Sequence, residues 1–437
     1  MRVFKNRLLK LMKPRREAYF NNFLDLKEKQ PKEVIREQKA LLDKMVLHAY
    51  QNVPFYQQLY NEAGLAGQLN AGIVEIEKLP ILTKDLVRSN QLELIASTAN
   101  RDELIFGKTG GSTGVPLEYY CDTMAYDKMW AASHFFYTLC GWQPGERILH
   151  FWGARQDTPA HRGLKIKLSE WLVSERTIAA YEYDEKTLNG WYQELLSYRP
   201  VVMQGYASIL YALADFLSRA GKAVMPLKGV YSTAEVLYPF QREVIERVFQ
   251  CKVYNQYGCR EIPGIACECQ SGNMHCLPTT SYVESLPSES EEPGRLVISS
   301  LTNWSMPFIR YELGDFGDLK EGACSCGMPL PMMDMAVGRS NDILKFANGR
   351  HIYPSYFVHL MDDITEIGEY QFKQIALDSM ELSVVGDCPP HVVEKLQCLG
   401  EKITEELKLE KLDFNIHYVE QIQRTSGGKF RFVISSL

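Results

Sequence analysis

The chain has 437 residues, 46% of them hydrophobic and 23% charged, and a net charge of −6. That length accommodates two or three domains with at least one large core, and the composition is that of an ordinary globular protein. The negative balance argues against nucleic acid as the main partner, and no uncharged apolar run reaches the roughly 18 residues of a membrane span.

In chain order, the first stretch is "MRVFKNRLLKLMKPRR", with the cations Arg2, Lys5, Arg7, Lys10, Lys13, Arg15 and Arg16 and no acidic residue. Val3, Phe4, Leu8, Leu11 and Met12 complete an amphipathic helix, which can lie on an anionic membrane surface or pack on the protein. No apolar run of signal-peptide length follows, so a secretory leader is not expected. Residues 1–100 read as mainly helical, with "VIREQKALLDKMVLHAYQNV" stopped before Pro54. "ELIFG", "RILHFWG", "VVMQGY", "LKGVYST" and "CKVYNQYG" read as strands. Helices at "TLNGWYQELLSYRP", "ASILYALADFLSRAG" and "LYPFQREVIERVFQ" alternate with them. This β-α-β rhythm predicts an α/β fold with a mostly parallel sheet. From residue 294 onward, "GRLVISSL", "FIRYELGD" and "FGDL" suggest short antiparallel strands. After Gly338 the pattern becomes a small α+β unit, with a single helix expected over "PHVVEKLQCLGEKITEEL". The expected domains are 1–338 and 339–437.

Five stretches carry chemistry. "FGKTGGSTGVP" is a glycine-rich loop whose backbone N–H groups and hydroxyls could cradle phosphate. It does not fit G-x-x-x-x-G-K-[ST], because Asp102 stands where the first glycine should be. "VYNQYGCREI" puts Glu261 just past a strand end, suited to Mg²⁺ near phosphates or to a solvated turn. "FIRYELGD" puts Asp315 after a glycine, where it could accept ribose hydroxyls or sit in a hairpin. "GRSNDILKFANGRHIYP" lies at the proposed boundary, and "RTSGGKFRFV" carries Lys429 between glycines and strand. A lysine so placed can stabilise developing negative charge.

In order and spacing, the five stretches resemble the adenylate-forming superfamily of acyl-CoA synthetases, peptide-synthetase adenylation domains and luciferases. Within it they are most similar to the phenylacetate–CoA ligase group, particularly its capsular-polysaccharide-biosynthesis branch. The resemblance implies a large N-terminal adenylation domain with mostly parallel sheets and an antiparallel subdomain, followed by a small mobile α+β domain. It assigns Thr109, Gly110, Gly111, Ser112, Thr113 and Gly114 to the ATP phosphates; Leu117 replaces a lysine common elsewhere. Thr233, Ala234 and Glu235 in "STAEVLYP", with Tyr257 and Gly258, would surround adenine. Glu261 would contact Mg²⁺, Asp315 the ribose and Arg339 the ribose or phosphate, while Asn341 falls at the hinge. Lys429 would be the adenylation lysine. Trp130, His134, Phe135, Trp152, Gly205 and Tyr206 are the acyl-site candidates, though each also reads as core. The implied reaction activates a small carboxylic acid with ATP to an acyl-adenylate and passes it to CoA or to the phosphopantetheine of an acyl carrier protein. Surface-polysaccharide assembly is the implied setting, in the cytoplasm with the N-terminal helix at the inner membrane. A catabolic phenylacetate-type ligase and a nucleotide-binding scaffold without turnover are the alternatives.

The eleven cysteines point to a reducing compartment. "GIACECQSGNMHC" and "GACSCGMPLP" gather thiols and an imidazole suited to tetrahedral Zn²⁺. The resemblance selects Cys269, His275, Cys324 and Cys326 as the ligands of a structural zinc, over Cys267 and Cys276.

Overall fold

The computed structural model describes residues 2–109, 117–153, 164–180, 183–287, 293–339, 344–352, 354–361, 364, 366–367, 369–424 and 430–437. Contacts divide the chain into two units, Met1–Leu313 with Gly317–Asp334, and Gly314–Phe316 with Met335–Leu437.

Helices open the first unit: Arg2–Met12, Pro14–Asp25, Pro31–Asn52 and Pro54–Glu62 lead. Three of them begin with proline at the first helical position, where the missing N–H has no intrahelical partner to lose. Arg2–Met12 packs against helix Leu164–Val173, with the Lys5 ammonium donating to the Trp171 carbonyl and lying 4.2 Å from its ring centroid.

The described strands build an eleven-stranded sheet. Its order is Ser281–Leu286, Arg295–Ser300, Tyr311–Lys320, Met332–Arg339, Met274–Cys276, Ala266–Glu268, Val253–Tyr257, Gly229–Thr233, Val202–Tyr206, Ile148–Trp152 and Glu175–Ala179. From Val253–Tyr257 to Glu175–Ala179 the pairing is parallel. On the other side of Val253–Tyr257, the two neighbours Ala266–Glu268 and Met274–Cys276 pair antiparallel.

Successive side chains of a strand face opposite ways, so the parallel part presents two faces. Leu149, Phe151, Met203 and Val230 face helices Glu185–Tyr198, Ala207–Arg219 and Pro239–Phe249 in one core. Ile148, Val202, Tyr231 and Tyr254 face helix Thr123–Tyr137 in the other. That helix is capped by Asp122, whose carboxylate accepts the Ala125 N–H at 2.7 Å.

The second unit holds a four-stranded sheet ordered Asp413–Val419, Ser379–Val385, Tyr370–Ala376, Val433–Ser435. The central pair is antiparallel, and each outer strand is parallel to its neighbour. The single helix expected over residues 390–407 is two, Pro390–Gln397 and Leu399–Glu406, meeting at Cys398. Gly400 lets the second lie close to the sheet, since a Cβ there would come within 2.8 Å of Phe414 Cβ. "FIRYELGD" and "FGDL" likewise merge into one strand, Tyr311–Lys320, with Gly314 at φ 83° inside it. The edge strand Glu175–Ala179 escaped sequence reading because "ERTIA" is short and begins with two charges.

Candidate active site and metal centre

Strands Ile148–Trp152, Val202–Tyr206, Gly229–Thr233 and Val253–Tyr257 end on the same side of the sheet. In an open α/β sheet, ligands bind in the crevice outside such carboxyl ends. Toward helix Thr123–Tyr137, Gln204 accepts from the Tyr137 phenol at 2.8 Å and donates to Gln256; Trp152 and Tyr206 meet edge-on at 5.5 Å and belong to the opposite core.

Beside these ends stands a hairpin of Ile105–Lys108 and Glu118–Cys121. Its neck is closed at Thr109, whose N–H donates to the Leu117 carbonyl at 2.8 Å and whose hydroxyl accepts the Leu117 N–H at 2.9 Å. Gly110, Gly111, Ser112, Thr113 and Gly114 lie outside the described residues, as do Asn341 and Lys429. Gly107 is required for space, because a Cβ there would stand 2.3 Å from the Tyr119 ring.

The Arg260 guanidinium donates to the Lys108 carbonyl at 3.0 Å. This bond ties the loop carrying Glu261 to the foot of the hairpin, one residue before Thr109. Glu261 is buried, 7% exposed, and its Oε1 accepts a hydrogen bond from the Tyr311 phenol at 3.1 Å. Burial, and after it the Glu261 charge, pushes the Tyr119 phenol well above its ordinary range. Arg260, Tyr119 and Tyr311 went unnoticed in the sequence, because nothing in its spacing marks two tyrosines and an arginine from three distant segments as neighbours.

Tyr257 closes its strand, and Gly258 follows where a Cβ would sit 3.1 Å from the Gly264 nitrogen. Thr233 ends its strand and Ala234 adopts φ 68°, a left-handed conformation that turns the chain. Glu235 is directed to helix Ala207–Arg219, its Oε2 accepting the Ser208 N–H at 2.8 Å in the first turn. Asp315 lies in strand Tyr311–Lys320 and is 7% exposed. Arg339 ends strand Met332–Arg339, with its side chain outside the described residues.

Of the acyl-site candidates, Phe135 is wholly buried in the core. His134 has both ring nitrogens engaged: Nε2 is 2.9 Å from Glu175 Oε1 and Nδ1 is 2.9 Å from the Trp130 carbonyl. His150 Nε2 meets the other Glu175 oxygen at 3.2 Å. Burial acts to raise the Glu175 carboxyl, but the charges and hydrogen bonds of the two histidines outweigh it and hold the group well below the usual carboxylate range. His134 is therefore part of a buried charged bridge between helix and sheet.

Cys269, His275, Cys324 and Cys326 come together, each offering one ligand atom, with all four atoms within 4.8 Å of one another. Cys269 and Cys324 Sγ atoms are 3.7 Å apart, and Cys326 Sγ is 3.3 Å from His275 Nε2. A tetrahedral zinc with Zn–S near 2.3 Å needs S···S edges of about 3.8 Å and S···N edges of about 3.5 Å, so the donors fit that ion. His275 Nδ1 lies 3.2 Å from the Leu330 carbonyl, which fixes the ring with Nε2 turned to the thiols. Burial opposes ionisation of both cysteines in the 324–326 turn. Hydrogen bonds from the Cys326 backbone and from Cys326, His275 and Asn273 side chains outweigh it at Cys324, bringing that thiol to about 6. Cys326 is pushed up to about 12. Cys267 and Cys276 are buried outside the cluster.

Residues 344–436 match the CapK C-terminal domain. The CapK protein of Staphylococcus aureus is 24% identical over 88% of this chain and 86% of its own. A phenylacetate–coenzyme A ligase of Thermus thermophilus is 25% identical over 92% of this chain and 97% of its own. Among solved structures, a 2-hydroxyisobutyryl-CoA ligase in complex with 2-HIB-AMP superposes with a TM-score of 0.72, at 19% identity and over 92% and 89% of the two chains. An anthranilate CoA ligase in complex with anthranoyl-AMP gives a TM-score of 0.51, at 14% identity and over 84% and 75%. In fold the chain is similar to acyl-CoA ligases of the adenylate-forming superfamily, in sequence it is related to CapK and the phenylacetate–coenzyme A ligases, and its residues 344–436 match the CapK C-terminal domain.

Proposed function

We propose that this protein is an AMP-forming carboxylate ligase, which joins a small carboxylic acid to the adenylyl group of ATP, releases pyrophosphate and transfers the acyl group to a thiol. The observation that carries this reading is the Arg260–Lys108 bond, which draws the buried Glu261 to the foot of the glycine-rich hairpin at the carboxyl ends of the parallel strands.

A carboxylate is a poor electrophile, and its attack on the α-phosphate brings two anions together. Hydroxyls and backbone N–H groups of residues 109–114 receive the β- and γ-phosphates, where the leaving charge gathers. Tyr257 and the turn at Ala234 border adenine, Asp315 accepts from the ribose, and Arg339 meets ribose or phosphate. Lys429 bridges the acyl carboxylate and the α-phosphate. Glu261 suits Mg²⁺, being a buried carboxylate with Tyr311 as its hydrogen-bond partner among the described residues; the ion, when bound, neutralises phosphate charge. Residues 339–437 form the mobile domain, which turns about Asn341 to exchange Lys429 for the segment around Gly349 before the thiol attacks.

CoA is the acceptor that the ligase relatives favour, with carrier-bound phosphopantetheine as the other thiol of the same chemistry. Likeness to CapK supports a setting in surface-polysaccharide assembly. Among the described residues no helix is long and apolar enough to cross a membrane. Leu11 and Met12, 80% and 56% exposed, together with Lys10 and Arg15, support a peripheral contact of residues 2–16 with the inner membrane from the cytoplasm. The four-ligand cluster holds a structural zinc, since four protein donors leave no position for water.

The test is carboxylate-dependent ATP–pyrophosphate exchange over arylacetic, short hydroxy and amino acids, with Lys429→Ala beside wild type. Exchange with one acid, reduced several hundredfold in the variant, is expected. ATP binding without exchange for any acid would overturn the reading.

A further inference from the structure

We propose that Tyr311 is a positioning residue for the metal-binding carboxylate: its phenol aims Glu261 at the magnesium ion of the nucleotide. The inference rests on the reading of Glu261 given above.

Glu261 sits in a turn just beyond a strand, where a carboxylate without a partner would sample several rotamers. The Tyr311 phenol occupies Oε1 at 3.1 Å and donates its proton there, which leaves the lone pairs of Oε2 for a cation. A carboxylate ligand fixed by an outer hydrogen bond in this way binds its metal more tightly, commonly by 10- to 100-fold.

What makes Tyr311 a good aiming device is how it is held. Its side chain is fully buried and packs edge-on against Phe308 at 5.0 Å. Its backbone is gripped from both sides by Leu82, which donates to the Arg310 carbonyl at 2.9 Å and accepts from the Glu312 N–H at 3.0 Å. Arg310 itself adopts φ 50°, a left-handed conformation costing about 1–2 kcal/mol for a residue with a side chain. Its guanidinium compensates: it pairs with Glu284 at 3.0 Å and donates to the Glu77 carbonyl at 2.9 Å and to that of Leu79. A strained backbone directly before a phenol that touches a candidate ligand is the pattern expected where geometry has been selected for function.

The experiment measures ATP affinity by calorimetry on the full-length protein, once with excess Mg²⁺ and once in EDTA. The ratio of the two dissociation constants is the metal enhancement. Glu261→Gln tests the underlying reading and should abolish the enhancement; if wild type has none, or the variant keeps it, Glu261 is not the metal carboxylate. Tyr311→Phe removes one oxygen and should lower the enhancement about tenfold while leaving affinity in EDTA unchanged. Tyr56→Phe is the structural control, since that buried phenol bonds the Pro307 carbonyl and the Ile309 N–H and does not touch Glu261. An enhancement lost in Glu261→Gln but intact in Tyr311→Phe would overturn the inference, as would equal losses in Tyr311→Phe and Tyr56→Phe.

Discussion

If the Cys269–His275–Cys324–Cys326 cluster holds zinc, removing the ion should lower the stability of the first unit by an amount the structure allows one to calculate. The ion would join Cys269 to Cys324, 55 residues apart in sequence. Treated as a cross-link that closes a loop of that length, it restricts the unfolded chain by about 4 kcal/mol at 25 °C. Protein purified without added zinc should contain about one equivalent of metal. A strong chelator should then lower the guanidinium midpoint, and Cys324→Ser should give the same midpoint with or without the chelator. Cys398→Ser, at an exposed cysteine outside the cluster, should leave metal content and midpoint unchanged. Metal-free protein with an undiminished midpoint, or a chelator shift that persists in Cys324→Ser, would refute the argument.

Three further outcomes are expected. Glu175→Gln leaves the buried His134 and the partly buried His150 imidazoles facing an amide, and should cost about 3–5 kcal/mol by equilibrium unfolding. Because Glu175 is held below its ordinary value of 4.5, its contribution is present above that pH and fades as the pH falls through the lowered value; the variant should therefore lose stability less steeply than wild type below about pH 4.5. Gly107→Ala drives a methyl into the Tyr119 ring and should weaken ATP binding at least tenfold through the hairpin, with the far-ultraviolet circular dichroism unchanged; unaltered affinity would mean that the hairpin does not shape the phosphate site. Deleting residues 2–16 should reduce sedimentation with anionic liposomes while pyrophosphate exchange persists, and equal sedimentation would confine that helix to packing against Leu164–Val173.

The parallel part of the sheet was legible because its strands are continuous apolar runs and its helices carry caps and breakers. Glu175–Ala179 was not, because an edge strand is buried less and is under little pressure to be apolar. The two helices around Cys398 read as one because a break between helices that both continue the same apolar stripe leaves the period nearly intact. The candidate site followed a similar division. Glu261 and the hairpin could be found from local spacing, since their chemistry is local. Glu235 reads as a nucleotide-site residue, and its carboxylate also caps the helix after Tyr206, a use that nothing local in "STAEVLYP" announces. Tyr311, Arg260 and the Glu175 bridge are contacts between segments far apart in the chain, which no periodicity records.

Strand Val253–Tyr257, parallel to one neighbour and antiparallel to the other, also sets an order of events during synthesis. Every parallel partner has left the ribosome by the time Tyr257 emerges, whereas Met274–Cys276 pairs on its far side with Met332–Met333. About 57 residues separate His275 from Met332, which at 5–20 residues per second is a wait of roughly 3–11 s. During that interval the nascent sheet shows an open edge carrying Cys269 and His275, half of a metal site, until the turn with Cys324 and Cys326 emerges and the strand after it closes the edge.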